Sequence, residues 1–121
     1  MTDVIGDKDA RRWAQQWADE WNRHDVDAVL EHFAADVEFT SPVAAAVTGD
    51  PVVRGRDALR AYWTAALART RDLHFDVDDV HVGGGCLAIL YRNQTGRRVT
   101  EVMVFGTDGK VTRGYALYAP A

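Results

Sequence analysis

The sequence predicts an α+β domain, and three observations carry that expectation. Apolar residues recur with helical spacing up to about residue 70 and alternate with period two beyond it. The alternating segments are separated by the glycine turns Gly83-Gly84-Gly85, Thr95-Gly96 and Asp108-Gly109. Helices first and hairpin-linked strands afterwards place the helices on one face of an antiparallel sheet. At 121 residues, 47% of them apolar, the chain reads as a single domain over residues 1–121. Such a chain buries roughly two thirds of its unfolded surface in one core.

Residues 9–23 form the first helix: Trp13, Trp17 and Trp21 recur at i, i+4 and i+8 beside Ala10, Ala14 and Ala18, with Arg12, Gln15, Asp19 and Arg23 elsewhere. Asn22, Arg23 and His24 end it, and Asp25 suits the N-cap of a second helix over residues 26–33 that turns Val26, Val29, Leu30 and Phe33 inward. A short strand over residues 37–40 stops at Ser41-Pro42, because proline has no amide for the sheet ladder. Residues 43–53 read as a loop, unusually apolar, broken by the turn signal Gly49-Asp50-Pro51. Residues 56–69 give a third helix with Leu59, Tyr62, Trp63, Ala66 and Leu67 on one side. Leu73, Phe75 and Val77 then alternate with His74, Asp76 and Asp78, and the apolar parity flips at Val80 and Val82, which calls for a bulge near Asp78-Asp79. Strands over residues 86–93, 98–105 and 111–118 complete an antiparallel meander.

Composition excludes several classes of function. The net charge is -4 and the 14 basic residues are scattered, so neither nucleic acid nor an anionic membrane has a basic face to meet. Cys86 is the lone cysteine, which rules out an internal disulfide and a cysteine zinc cluster and suits a reducing interior. The first residues are too charged for a signal peptide, and the longest uncharged stretch, residues 39–49, is far short of a bilayer span. A cytoplasmic protein is expected. Gly83 to Gly85 lacks the lysine and following helix of a phosphate loop, so no nucleotide cofactor is expected, nor any other.

The runs Trp21-Asn22-Arg23-His24-Asp25-Val26-Asp27-Ala28-Val29 and Phe33-Ala34-Ala35-Asp36-Val37-Glu38-Phe39 are followed by Ser41-Pro42, Gly55-Arg56-Asp57-Ala58-Leu59 and Gly109-Lys110-Val111. In order and spacing this resembles the NTF2-like superfamily, particularly its SnoaL-like and ketosteroid-isomerase-like branch. The resemblance implies a cone, with three N-terminal helices packed on a strongly bent, mainly antiparallel sheet and a ligand pocket at the open end. It implies much less about chemistry, since isomerases, cyclases, dehydratases, epoxide hydrolases and binding proteins share this mould.

The isomerase branch uses a tyrosine on the first helix, an aspartate before the proline that ends the first strand, and an acid on the next-to-last strand. By resemblance these positions fall on Trp17, Ser41 and Glu101, and a second aromatic hydroxyl falls on Trp63. Without a carboxylate at Ser41 the steroid-type proton shuttle has no base, so ketosteroid isomerase activity is not expected. Glu101 shares a strand face with Val99, Met103 and Phe105, and both faces of that strand look covered. Burial would raise its pKa and poise it as a hydrogen-bond donor or general acid/base. The plainer reading fixes it against Arg92 or Arg113. Trp17 and Trp63 would donate indole N–H groups to Glu101 or to a ligand oxygen beside it, or else fill the core. Trp13 and Trp21 are assigned to packing. Phe39, Ser41, Met103, Phe105 and Tyr118 complete the expected ligand pocket. Family geometry turns Gly114, Ala116 and Tyr118 inward and Arg113, Tyr115 and Leu117 outward, and implies a homodimer through that outer sheet face.

Other candidates read as structural. His24 and Asp25 adjoin at a helix junction where Asp25 fits the cap, and His32 reads as surface or rim. His74, Asp76 and Asp78 share a strand face but cannot enclose a cation alone, so no metal site is expected. His81 is a secondary candidate at the pocket rim. Ser41 has no histidine and acid arranged to activate it. The leading expectation is a cofactor-independent acid/base enzyme, of isomerase, cyclase or dehydratase type, acting through Glu101 on a small apolar oxygen-bearing molecule. A binding protein without turnover and a dimerisation domain are the alternatives. Residues 43–53 would be an apolar lid for the first two.

Overall fold

The computed structural model of the chain describes residues 6–120. Helix α1 (Asp7–Asn22) and α2 (Val26–Leu30) precede strand β1 (Phe33–Thr40), α3 (Pro42–Thr48), β2 (Val52–Arg54) and α4 (Arg56–Arg69). Strands β3 (Asp76–Gly83), β4 (Cys86–Arg92), β5 (Arg98–Phe105) and β6 (Val111–Tyr118) follow. The six strands form one sheet in the order β2-β1-β6-β5-β4-β3, antiparallel except where β1 runs parallel to β6. Register shifts between Val77 and Asp79, where a bulge was expected, and between Val104 and Phe105 bend the sheet, as the cone implied by the resemblance requires.

Helix α1 packs along the inside, against β3 and α2. Ala10, Ala14 and Ala18 are fully buried, and their small side chains let the helix lie close to its neighbours. Its C-terminal end is pinned by Asn22, which donates Nδ2 to Phe75 O at 3.0 Å and accepts from Phe75 N at 2.8 Å. His24, in the left-handed conformation with φ 59°, reaches Leu73 O at 3.0 Å. Leu73 and Phe75 are thereby tied to the helix end, and β3 starts only at Asp76, later than the alternation suggested.

Two other boundaries differ from the expectation. The second helix ends at Leu30, and Phe33 opens a strand, because Phe33 pairs with Val111 of β6. Phe33 is buried either way, so the apolar pattern could not separate the two outcomes. The apolar segment after Ser41 is a helix, which makes four helices among the described residues. Ser41 Oγ accepts from Val43 N at 3.1 Å as N-cap and Pro42 occupies the first turn, so the dipeptide that ends β1 also starts α3. Gly49, at φ 85°, closes α3 in the left-handed region where glycine is favoured. Among the described residues no helix is long and apolar enough to cross a membrane.

Candidate functional site

A cavity of about 360 Å³ opens between the C-terminal part of α1, α4 and the ends of β4, β5 and β6. Its volume lies in the lower part of the usual range for small-molecule sites. The walls are aromatic. Trp17 stacks on Phe75 at 5.3 Å between centroids and meets Tyr91 edge-on at 5.3 Å. Trp63 packs against Trp21 at 5.0 Å, Phe33 at 5.3 Å and Phe39 at 5.5 Å. Phe39 in turn lies over Gly114, where a side chain would bring Cβ within 3.1 Å of the Phe39 ring. Glycine at that position leaves Phe39 its place at the cavity floor.

Glu101 is the one carboxyl lining this cavity among the described residues, and it is only 6% exposed. Its pairing with Ile89 of β4 sets it two positions along the ladder from Tyr91, on the same inward face. Tyr91 donates its hydroxyl to Glu101 Oε1 at 3.0 Å. Burial pushes the Glu101 carboxyl up to about 8, opposed by that hydrogen bond, so the group is protonated in the main at neutral pH. Burial and the neighbouring Glu101 hold Tyr91 well above the ordinary phenol range and push Tyr118 up to about 12. Tyr62 is also raised by burial, with the Ser41 side chain opposing. The result is an uncharged acid ringed by uncharged phenols.

The structure brings Trp17, Phe39, Ser41, Trp63, Glu101 and Tyr118 to this one cavity. Met103 and Phe105 lie off its wall: Met103 is fully buried beside Gly114, and Phe105 sits against Trp13 at 5.4 Å. Strand parity gave their face correctly but not their depth in the cone. Trp21, assigned to packing, lines the cavity. The donor to Glu101 is the Tyr91 phenol, and among the described residues neither indole bonds the carboxyl. Arg92 is no partner for Glu101 either, since it pairs with Asp78 at 3.0 Å. Sequence reasoning missed Tyr91 in this role. The Thr95-Gly96 turn held the signal, because the hairpin register pairs Tyr91 with Val99 and so puts it on the face of Glu101.

At the mouth, Asn93 Oδ1 accepts from Thr95 N, Thr95 Oγ1 and Arg97 N, which fixes the β4–β5 turn. Arg97 donates to Ala119 O at 3.0 and 3.2 Å and lies 5.0 Å over the Tyr118 ring. Gln94 Oε1 is buried without a partner among the described residues. Gly114, Ala116 and Tyr118 turn inward while Arg113 and Leu117 are exposed on the outer face, as family geometry implied.

The remaining candidates stand outside the cavity. Asp25 caps α2 by accepting from Ala28 N at 3.1 Å, while His24 points to Leu73, so the two form no dyad. His74 bonds Asp76 at 3.1 Å on the surface, and His81 lies 3.7 Å from Asp79. Among the described residues no three or more His, Cys, Asp or Glu side chains come together to hold a metal ion. His32 is not a surface residue: its Nε2 meets Glu20 Oε1 at 2.8 Å, and its ring lies 5.0 Å from Trp13.

The SnoaL-like domain family matches residues 14–114. Among solved structures, a SnoaL-like protein of unknown function from Burkholderia thailandensis is 37% identical, with a TM-score of 0.92 over 97% of this chain and 99% of that one. A SnoaL-like family protein from Agrobacterium tumefaciens is 16% identical, with a TM-score of 0.71 over 88% of this chain and 94% of that one. An NTF2-like protein of unknown function from Cytophaga hutchinsonii is 11% identical, with a TM-score of 0.69 over 92% of this chain and 90% of that one. No protein of curated function matches. With the family match running from α1 into β6 and a SnoaL-like structure so similar, the chain belongs to the SnoaL-like domain family of the NTF2-like superfamily.

Proposed function

We propose that the protein is a cofactor-independent acid/base enzyme of the cytoplasm acting on a small, apolar, oxygen-bearing molecule, with Glu101 as its proton carrier. The observation behind this reading is Glu101 buried at the wall of an aromatic cavity, where burial pushes its carboxyl up to about 8. A carboxyl of this kind gives its proton to a ligand oxygen, and the carboxylate left behind takes one back from an acidic C–H. Isomerisation, aldol-type cyclisation and dehydration are the reactions open to such a group. Trp17, Trp63 and Phe39 would hold the apolar body of the ligand, with Tyr118 and Ser41 as its further polar contacts. Val43 of α3 lines the cavity and is 39% exposed, which suits a short apolar lid at the mouth.

A second reading, binding without turnover, is favoured by one observation: Ser41 stands where the isomerases carry their base, and it is spent on capping α3. A panel of cyclic ketones and phenols, screened by thermal shift and then for turnover with wild type and Glu101→Gln, separates the two. Binding lost with Glu101→Gln together with slow turnover in wild type supports catalysis. Binding without turnover supports the second reading, and binding and turnover both unaffected by Glu101→Gln overturn the first.

The outer sheet face is proposed as the contact with a second copy. Rows Ala88–Val102–Tyr115 and Leu90–Thr100–Leu117 run across it, with Leu117 54% exposed, and arginines 98 and 113 share the face with Asp79 and Glu38. An apolar centre flanked by both signs of charge is complementary to its own two-fold copy. Leu117→Arg should turn a dimer into a monomer in sedimentation; a wild-type monomer would contradict the proposal.

A further inference from the structure

We infer that Tyr91 is the positioning residue of this site: its hydroxyl anchors Glu101 Oε1 and leaves Oε2 as the atom that meets a ligand oxygen. The inference rests on the reading of Glu101 given above and adds the device that aims it.

Two independent restraints fix the Tyr91 oxygen. Its backbone lies in β4, paired on both sides, with Tyr91 opposite Val77 of β3 and Val99 of β5. Its ring is held between Phe75, at 4.5 Å, and Trp17, at 5.3 Å. A phenol held by backbone and ring together cannot follow a swinging carboxyl, so the carboxyl is held by the phenol. The bond also survives the proton cycle. A phenol O–H donates to the carbonyl oxygen of a neutral carboxyl and, more strongly, to a carboxylate, so Glu101 keeps one orientation as it gives and regains its proton.

The other carboxyl oxygen is in a different situation. Oε2 has no hydrogen-bond partner among the described residues, yet it is not sealed off as Gln94 Oε1 is. It therefore faces the open cavity that Glu101 lines. Tyr118 lines the same cavity without bonding Glu101, and its hydroxyl has no side-chain partner among the described residues, which leaves it for a ligand. The two carboxyl oxygens thus have separate tasks, one structural and one chemical.

This division selects among ligands. A guanidinium or amidinium binds a carboxylate through both oxygens at once, and here Oε1 is turned to Tyr91 and only Oε2 to the cavity. A ligand that presents a single oxygen, a ketone or a phenol, needs only Oε2. The site should therefore take monodentate oxygen ligands and reject bidentate cations of the same ring size.

The test uses 4-nitrophenol as the oxygen probe and benzamidine as the bidentate one, titrated into wild type, Glu101→Gln and Tyr91→Phe. The protonation midpoint of Glu101 is read in parallel from its side-chain carbonyl carbon by NMR. The expected result is 4-nitrophenol binding that Glu101→Gln weakens and Tyr91→Phe weakens about tenfold, a loss on the scale of one misplaced hydrogen bond. The Glu101 midpoint should rise in Tyr91→Phe, because the phenol favours the charged form that burial opposes. A purely packing role for Tyr91 would leave that midpoint unmoved. Benzamidine should bind wild type more weakly than 4-nitrophenol. If 4-nitrophenol binding depends on Glu101 but is unchanged in Tyr91→Phe, the positioning role is overturned while the site stands. If it ignores Glu101→Gln, the site itself is misread and the inference falls with it. Should Tyr91→Phe fail to fold, Phe75→Leu keeps the hydroxyl but frees the ring. A raised Glu101 midpoint in that variant supports the clamp, and an unchanged one overturns it.

Discussion

Glu20 and Glu101 are each 6% exposed, and they show how little burial alone says about a carboxyl. Glu20, on α1 away from the cavity, has two donors: His32 Nε2 at 2.8 Å on Oε1 and Gln16 Nε2 at 3.2 Å on Oε2. Both of its oxygens are engaged, and one partner can carry a compensating charge. Glu101, on the cavity wall, has a single neutral donor and an oxygen left facing open space. The first arrangement holds a helix to the start of a strand. On the function proposed above, the second stores a proton where a ligand can reach it. What differs between them is the partner set, and the partner set is what separates a structural acid from a poised one.

The contrast is broken most severely through pH. Between about pH 4.5 and about 8 the unfolded chain releases the Glu101 proton while the folded chain keeps it. The folded state binds more protons across that window, so stability falls as pH rises through it and levels off above it. The loss should be on the order of 3–5 kcal/mol from this group. Glu101→Gln, which keeps an oxygen for Tyr91 to bond, should remove that slope; urea unfolding of both proteins at several pH values measures it. At Glu20 a neutralising change should act in the opposite sense. Glu20→Ala strips His32 and Gln16 of their acceptor and should cost about 2–3 kcal/mol near neutral pH, allowing for the partial exposure of His32. Urea midpoints near neutrality give the sign directly.

The smallest expected effect sharpens the same comparison with a group that has no partner. Gln94 Oε1 is buried and unbonded among the described residues, so Gln94→Met should be neutral or stabilise by up to about 1 kcal/mol. A shift in melting temperature reads it, and a marked loss would mean that the amide is satisfied in solution.

Much of the fold was legible because its signals are local. The spacing of Trp13, Trp17 and Trp21 gave α1, and the glycine turns gave the meander. Residues 42–48 were misread because Ser41-Pro42 ends a strand and starts a helix with the same two residues. The end of α2 was misread because Phe33 is buried in either conformation. Within the site, period two put Met103 and Phe105 on the face of Glu101, which the family resemblance turned toward the pocket, yet parity says nothing of depth, and both lie off the cavity wall. The partners of Glu20 and Glu101 were missed for a related reason. Each is set by how two elements meet, α1 with the segment after α2, and β4 with β5, and only the second carried a usable signal in its turn.

The central claim is that Glu101 carries a proton at neutral pH in the free protein. Carbon NMR titration of the Glu101 side chain in the full chain, without ligand, tests it directly. The account requires a midpoint near 8, far above the ordinary 4.5; a midpoint at the ordinary value would contradict it.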